Sequence, residues 1–462
     1  MKSDSRSGDG TTGERILTSV ASEALPADAE DLLGTPPYEP PTEREAAAEI
    51  EQIEHPLRTG LFRVFRHRNY RLFFAGQLVT FAGTFVQVVA QGWLVYALTR
   101  SAWLLGVTSF AGMVPGFFLS PFAGTLSDRV DRRKLLMVTR GLAMLQAFTL
   151  AALTLSHVVH VWHVVVLALL LGIVNAFDVP TRQAFTLDMV EREDLRSAIS
   201  LNSMMFNLAR ILGPTIGGFI VALLGEGLCF AINGICITAV LSSYFRMKIA
   251  PRPHRAKDHP WEEMKQGFAY AWNTRLIRVS LILVTVTSCF GAAYLTLMPA
   301  IARDILHEGS QGLGLLMGSV GFGALVGAYV LAQIPERWLT RTPPLAAAAF
   351  GISLLLFAQS HLLVLSMLLL LPVSFFLMLV GGATNTIIQT VAEEHLRGRV
   401  VSLYTMSFMG MMPWGALILG FLGSHYGVAR ALVIGGSVCV VGAALSYFDR
   451  ARHHEFESVP GE

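Results

Sequence analysis

In the string GTLSDRVDRRKLL (124–136), Asp128 is followed within six residues by Arg129, Arg132, Arg133 and Lys134. One carboxylate beside four cations suits ion pairs that form and break, not the making of covalent bonds. Gly124, four residues earlier, lets a neighbouring helix come close. A second charge lies deeper. Arg210, in ARILGPTIGG (209–218), sits about fourteen positions into an apolar run, roughly 20 Å along a helix at 1.5 Å per residue. A charge at that depth is costly and faces either a partner or a cavity. Two readings stay open for it: an ion pair with NAFDVPTRQAF (175–185), which offers Asp178 and Arg182, or direct contact with a substrate or proton. Counting from the loop near 192–194, Asp178 lies about fifteen residues back and Arg210 about seventeen on, so a helical hairpin sets them at similar depth. The expectation is a pair, formed directly or through Asn175 or Asn207. In the same run Pro214 removes a backbone donor and kinks the helix, while Gly213, Gly217 and Gly218 admit a neighbour.

Other polar chemistry inside the apolar runs is sparse. Gln87 and Gln91 in the first run and Tyr294 in the seventh complete the candidates for substrate contact, and Asp178 is the one carboxylate placed to carry a proton. No HExxH, no Ser–His pairing and no deep pair of acids points to an enzyme. The absence of G-x-x-x-x-G-K-[ST] leaves no ATPase site within the chain. Cys229, Cys236, Cys289 and Cys439 all lie in apolar runs without CxxC spacing, so they read as packing residues, with neither a metal site nor a cofactor expected.

These residues are set in an unusual background. Of 462 residues, 53% are hydrophobic and 15% charged, and the mean hydropathy is +0.53. Soluble domains carry about one quarter charged residues. The charges here fall in short islands between apolar runs of about 20 residues, the length that crosses a bilayer. The runs lie near 73–98, 104–126, 135–156, 161–181, 198–222 and 228–246, then near 277–300, 311–334, 343–360, 362–388, 400–423 and 428–448. This predicts an all-α membrane protein with twelve transmembrane helices. Twenty-seven of the 35 Lys and Arg fall in the even-numbered loops and the flanks, and only Arg100, Arg303 and Arg430 in the odd ones. Positive charge stays on the cytoplasmic side, so both termini are expected there. The net charge of +2 is not gathered on one patch, and no nucleic-acid partner is expected.

Sliding the chain by 202 residues sets SLNSMMFNLARILGPTIGGF (200–219) on SLYTMSFMGMMPWGALILGF (402–421), matching Gly213 to Gly415 and Gly218 to Gly420. Two six-helix pseudo-repeats follow, an arrangement common in carriers, with the substrate between repeats. The expected organisation is an acidic, disordered cytoplasmic tail over 1–56, a first bundle over 57–248, a cytoplasmic connector over 249–276, a second bundle over 277–449 and a short cytoplasmic tail over 450–462. The first of these holds thirteen Asp or Glu against four Lys or Arg, a composition unable to bury enough apolar surface to order itself. It shows no signal-peptide pattern.

The 124–136 string resembles the loop between helices two and three of the major facilitator superfamily, G-x-L-x-D-R-x-G-R-[RK]. Gly124, Leu126, Asp128, Arg129, Arg132 and Arg133 match, and Asp131 stands where the family usually has Gly. The resemblance implies a gating role for this loop, with Asp128 near the start of helix eleven, around Val400 to Leu403, in one conformation. ARILGPTIGG resembles the family's antiporter motif G-x-x-x-G-P-x-x-G-G: Gly213, Pro214, Gly217 and Gly218 match, and Ala209 replaces the first Gly. The buried Arg usual in helix four is missing, since Leu170 and its neighbours before Gly172 are apolar. Together with NAFDVPTRQAF, SAISLNSMMFNLARILGPTIGG and HLRGRVVSLY (395–404), these motifs are most similar to the enterobactin-exporter-type branch. The resemblance implies a monomeric inner-membrane exporter of small amphipathic molecules, working by alternating access and proton-coupled through antiport. The alternatives are a lipid or lysolipid carrier and, outside transport, a membrane receptor.

Overall fold

In an apolar solvent every backbone N–H and C=O must find its partner within the chain, and a helix does this segment by segment. The computed structural model describes residues 63–191, 194–247 and 260–452, and within its helices the side chains of Gly124, Asp128, Arg129, Arg210 and a few neighbours lie outside the description. The acidic segment 1–56 and most of the 450–462 tail lie outside the described residues as well. The described chain is helical from end to end. Helix α1 spans Arg68–Thr99, α2 Ala102–Arg129, α3 Arg132–Leu155, α4 Val161–Asp188 and α5 Leu195–Arg246. After the connector come α6 Pro260–Asn273, α7 Arg275–Ile305, α8 Ser310–Leu331, α9 Thr342–Phe357, α10 Leu363–Val391, α11 Glu394–Tyr426 and α12 Val428–Arg452.

Ten of these segments are long and apolar enough to cross a membrane, and α9 is a shorter apolar helix of 16 residues. Two of the runs separated in sequence are one element here, because α5 continues through 52 residues and turns at Gly225. That residue has φ +79°, a left-handed conformation that a side chain resists. Helix α7 departs from α geometry over Thr287–Leu297 and again over Ile301–Ile305, and α11 is interrupted around Met409–Met411. The connector holds a helix the sequence reading did not foresee. Its Gly267 lies against Arg399 at the start of α11, and Arg399 donates to Gln266 at 2.6 Å.

Helix ends are set by short local devices. Ser101 caps α2 by accepting from the Leu104 N–H at 3.4 Å. Asp131 caps α3, accepting from the N–H groups of Arg133 and Lys134 at 2.9 and 3.3 Å. This explains the departure from the family motif: Asp131 has φ −62°, so glycine is not needed and a capping carboxylate serves.

The helices before residue 248 pack among themselves (α1 on α5, α2 on α4, α3 on α4 and α5), and those after 260 do likewise (α8 and α9 on α10, α9 on α12). Between the two sets, α2 meets α11, α5 meets α8, and the last turns of α7 meet α1. The glycines show how closely. A Cβ on Gly218 would stand 2.6 Å from the Gly314 Cα, and one on Gly106 would stand 2.5 Å from the Ala416 carbonyl. The 202-residue echo recurs in the packing. Gly213 faces Phe85 of α1, as Gly415 faces Cys289 of α7; Gly218 faces Gly314 of α8, as Gly420 faces Gly106 of α2. Each matched pair thus meets the first helix of its own set or the second helix of the other.

Candidate functional site

One buried ion network lies within the first set. Asp178 of α4 is 1% exposed. Its carboxylate accepts from Arg140 of α3 at 2.5 Å and from Thr139 at 3.1 Å, with the Arg182 guanidinium at 3.5 Å. Arg182 also donates to the Gln77 side chain at 3.2 Å and lies over the Phe81 ring at 5.0 Å. Gln77 in turn donates to the Tyr244 hydroxyl at 2.9 Å. The network therefore joins α1, α3, α4 and the second arm of α5. Two guanidiniums share one carboxylate, and the Arg140 Nε has no partner among the described residues. Arg140 belongs to α3 and is 8% exposed. The side chain of Arg210, proposed from sequence as the partner of Asp178, lies outside the described residues, as does that of Asn207.

The basic end of the first set is tied by the 124–136 motif. Arg132 donates to Asp188 at 2.9 Å, joining α3 to the end of α4. Arg133 donates to the carbonyls of Tyr244 and Phe245 at 2.8 and 3.0 Å, satisfying groups at the C-terminus of α5. Both ties stay within the first set; the side chains of Gly124, Asp128 and Arg129 lie outside the description. Nearby, Asp194 meets His67, Arg66 and Arg63 at 2.8, 3.0 and 3.1 Å. Burial opposes its charge, yet the His67 hydrogen bond and the two guanidiniums hold its carboxyl below the usual carboxylate range.

The antiporter-type motif lies at a crossing of three helices. Gly213 and Gly217 take the backs of Phe85 and Val86 of α1, and Gly218 takes the start of α8. Further contacts between the sets fall on the same end, away from the basic one. Phe110 meets Trp414 and Trp103 meets Phe421 edge-on. Asp304 of α7 accepts from the Tyr96 hydroxyl and from Arg100.

Three of the other sequence candidates fall elsewhere. Gln87 is drawn into a buried amide cluster: it donates to Gln146 at 3.2 Å and accepts from Asn233 at 2.6 Å. Tyr294 is fully buried in the core of the second set. In this conformation the side chains of Gln87 and Tyr294 both lie in helix–helix packing. Gln91 is half-buried. Beyond Arg140, the sequence reading missed Gln146, Asn233 and Arg450. The last is fully buried on α12, donating to the Thr340 carbonyl at 2.6 Å and to Ser280 at 2.7 Å. A lone Arg five residues inside an apolar run was the available signal for Arg140. Among the described residues, no group of His, Cys, Asp and Glu forms a metal site.

A helical chain with these apolar spans and a seam between two packed sets defines a multi-pass membrane transporter. The sequence model of the family described as Transmembrane secretion effector matches residues 59–461, and the chain belongs to that family, within the major facilitator superfamily. It is 26% identical over 377 residues to the staphyloferrin A transporter of Staphylococcus aureus, covering 80% of this chain and 94% of that one. It is 28% identical over 408 residues to the multidrug efflux pump Tap of Mycobacterium tuberculosis, covering 83% and 96%. With the enterobactin exporter EntS of Citrobacter koseri it shares 24% over 401 residues, covering 82% and 91%. Among solved structures, a variant of the nucleoside transporter NupG superposes with a TM-score of 0.66 at 12% identity, over 82% of this chain and 99% of that one. A bacterial homologue of the human lysosomal transporter Spinster, inward-facing and unoccupied, gives 0.66 at 11%, over 86% and 99%. These two share the fold.

Proposed function

We propose that the chain exports small amphipathic molecules, drug- or siderophore-like, across the inner membrane by alternating access, with twelve spans and both termini in the cytoplasm. Taking the two arms of α5 as separate spans and adding α9 to the remaining long helices gives the twelve. The observation that carries the reading is the seam. Contacts of α2, α5 and α1 with α11, α8 and α7 cluster at the end opposite the basic loops. Towards the basic end the same seam helices carry exposed large side chains, Phe122 (67%), Met204 (53%), Tyr329 (69%) and Met409 (62%). This is the arrangement of a carrier sealed at the outer face and open to the cytoplasm, the side from which an exporter loads. The named activities of the relatives favour export of small molecules over a lipid carrier, and the family favours transport over a receptor. Asp178, Arg182 and Arg210 are proposed as coupling residues, with proton uptake by Asp178 releasing Arg140 and Arg182 to reorient α3 and α4. The 124–136 loop, through Asp128, is proposed to hold the cytoplasmic seal in the opposite state. Transport in proteoliposomes tests the reading, using amphipathic dyes, siderophores and lysolipids with and without an imposed pH gradient. Gradient-dependent movement of a dye or siderophore is expected. Movement of lysolipid alone favours the lipid carrier, and no flux of any probe contradicts transport.

A further inference from the structure

An ionic contact joins the two sets at one side chain. Asp304, on the last turn of α7, reaches across the seam to the Tyr96 hydroxyl and to the Arg100 guanidinium, the latter at 3.3 Å. Both are side-chain bonds that join the sets, and rings and glycines pack nearby. The adjacent Arg303 crosses to the same helix, its guanidinium 5.5 Å from the Trp93 ring, and Pro299 lies against Gly92. Gly92, Trp93, Tyr96 and Arg100 follow at spacings of one, three and four residues, so they line one side of α1. The backbone on both sides of the contact is irregular. Arg100 closes α1 in the left-handed region at φ +50°, Asp304 lies in a π-helical turn over Ile301–Ile305, and His307 follows at φ +56°. Left-handed backbone at a non-glycine residue persists only where its surroundings hold it, and π turns often mark functional sites.

We infer that Asp304 is the latch of the outer gate: its bonds to Tyr96 and Arg100 hold the sealed state, and every transport cycle must break them. The inference rests on the two-state carrier reading above. It adds a dependence on acidity. The charged groups facing Asp304 are Arg100 on α1 and Arg303 beside it. His307 and Glu308 follow on the same segment, and Arg430 lines the same cavity of about 570 Å³, as do the Tyr96 and Tyr426 hydroxyls. Protonation removes the ion pair with Arg100, so acid at the outer face weakens the seal.

The test is conformational and needs no substrate, so its failure leaves the export reading standing, while a failed flux assay leaves the latch standing. Spin labels at Val158→Cys and His361→Cys report the outer-end distance in full-length protein in nanodiscs. Both residues are exposed and lie on loops of different sets. Asp304→Asn and Tyr96→Phe are each expected to raise the outer-open population about three- to tenfold, the range for losing a part-exposed ion pair or hydrogen bond. Asp304→Glu is expected to restore the wild-type distribution. Arg430→Gln, in the same cavity without a bond to Asp304, is expected to leave it unchanged. Acidification should open wild type and not Asp304→Asn. A wild-type distribution in Asp304→Asn, or an equal shift from Arg430→Gln, overturns the latch.

Discussion

Gly218 gives the sharpest handle on the seam. A Cβ there would stand 2.5 Å from the Ser310 carbonyl oxygen, 2.6 Å from the Gly314 Cα and 2.8 Å from the Gly314 nitrogen. All three are backbone atoms, so no rotamer change relieves the clash, and α5 and α8 must separate by about 0.8–0.9 Å to reach ordinary contact. Overfilling a packed interface costs about 1–3 kcal/mol. On the proposed alternating-access cycle the cost falls on the sealed state alone, since the helices would part there when the outer end opens. Gly218→Ala is therefore expected to move the sealed-to-open ratio by about tenfold for each 1.4 kcal/mol. Distance distributions between labels at Val158→Cys and His361→Cys read this directly. Gly141→Ala, where an added Cβ meets nothing within 4 Å, serves as the control. An unchanged distribution in Gly218→Ala would refute the assignment of this crossing to the seal.

Asp178→Asn removes the one carboxylate shared by two buried guanidiniums; a loss of about 3–5 kcal/mol is expected from breaking such a pair, visible as a lower melting temperature in detergent, together with loss of flux. Arg140→Gln should cost less, because Asp178 keeps Arg182, and a melting temperature below that of Asp178→Asn would contradict the network as described. Asp131→Ala removes the cap of α3 and is expected to cost about 0.5–2 kcal/mol, whereas Asp131→Asn, which can still cap, should cost little; equal losses would sink the capping role. For Asp194 the folded carboxyl is held below its ordinary range. Its contribution to stability is therefore present above the unfolded value, near 4, and is lost as pH falls through the lower folded value. Asp194→Asn should lower the melting temperature at neutral pH and flatten its fall in acid; an unaltered acid limb would argue against it.

The helical order was legible because a bilayer imposes a length that apolar runs must meet, and the runs near 104–126, 311–334 and 428–448 fall on α2, α8 and α12. The join at Gly225 was not, since a glycine in an apolar string marks a bend or a close approach equally well. The 202-residue echo foretold equivalent glycines because close backbone contact admits little else. Side-chain direction was harder. Gln87 and Gln91 are one turn apart on α1, yet the first is buried against Gln146 and Asn233 and the second half-buried, a distinction that hydropathy in lipid does not encode. Arg140 was hidden by its nearness to a basic loop. Asp304 was hidden by its place at a span end, where a charge is ordinary until its partner across the seam is known.

Reciprocity of the two ends tests alternating access most directly. One label pair, Val158→Cys with His361→Cys, reports the outer end; a second, Glu191→Cys with Glu336→Cys, sits on exposed connections of different sets at the basic end, the latter at the start of a short helix over Glu336–Leu339. Both distances are measured in nanodiscs under matched conditions, in protein carrying Gly218→Ala and in protein without it. The expected result is a lengthening of the outer distance and a shortening of the basic-end distance in the same proportion of molecules. An outer end that opens while the basic end stays as wide as before would contradict alternating access in this chain.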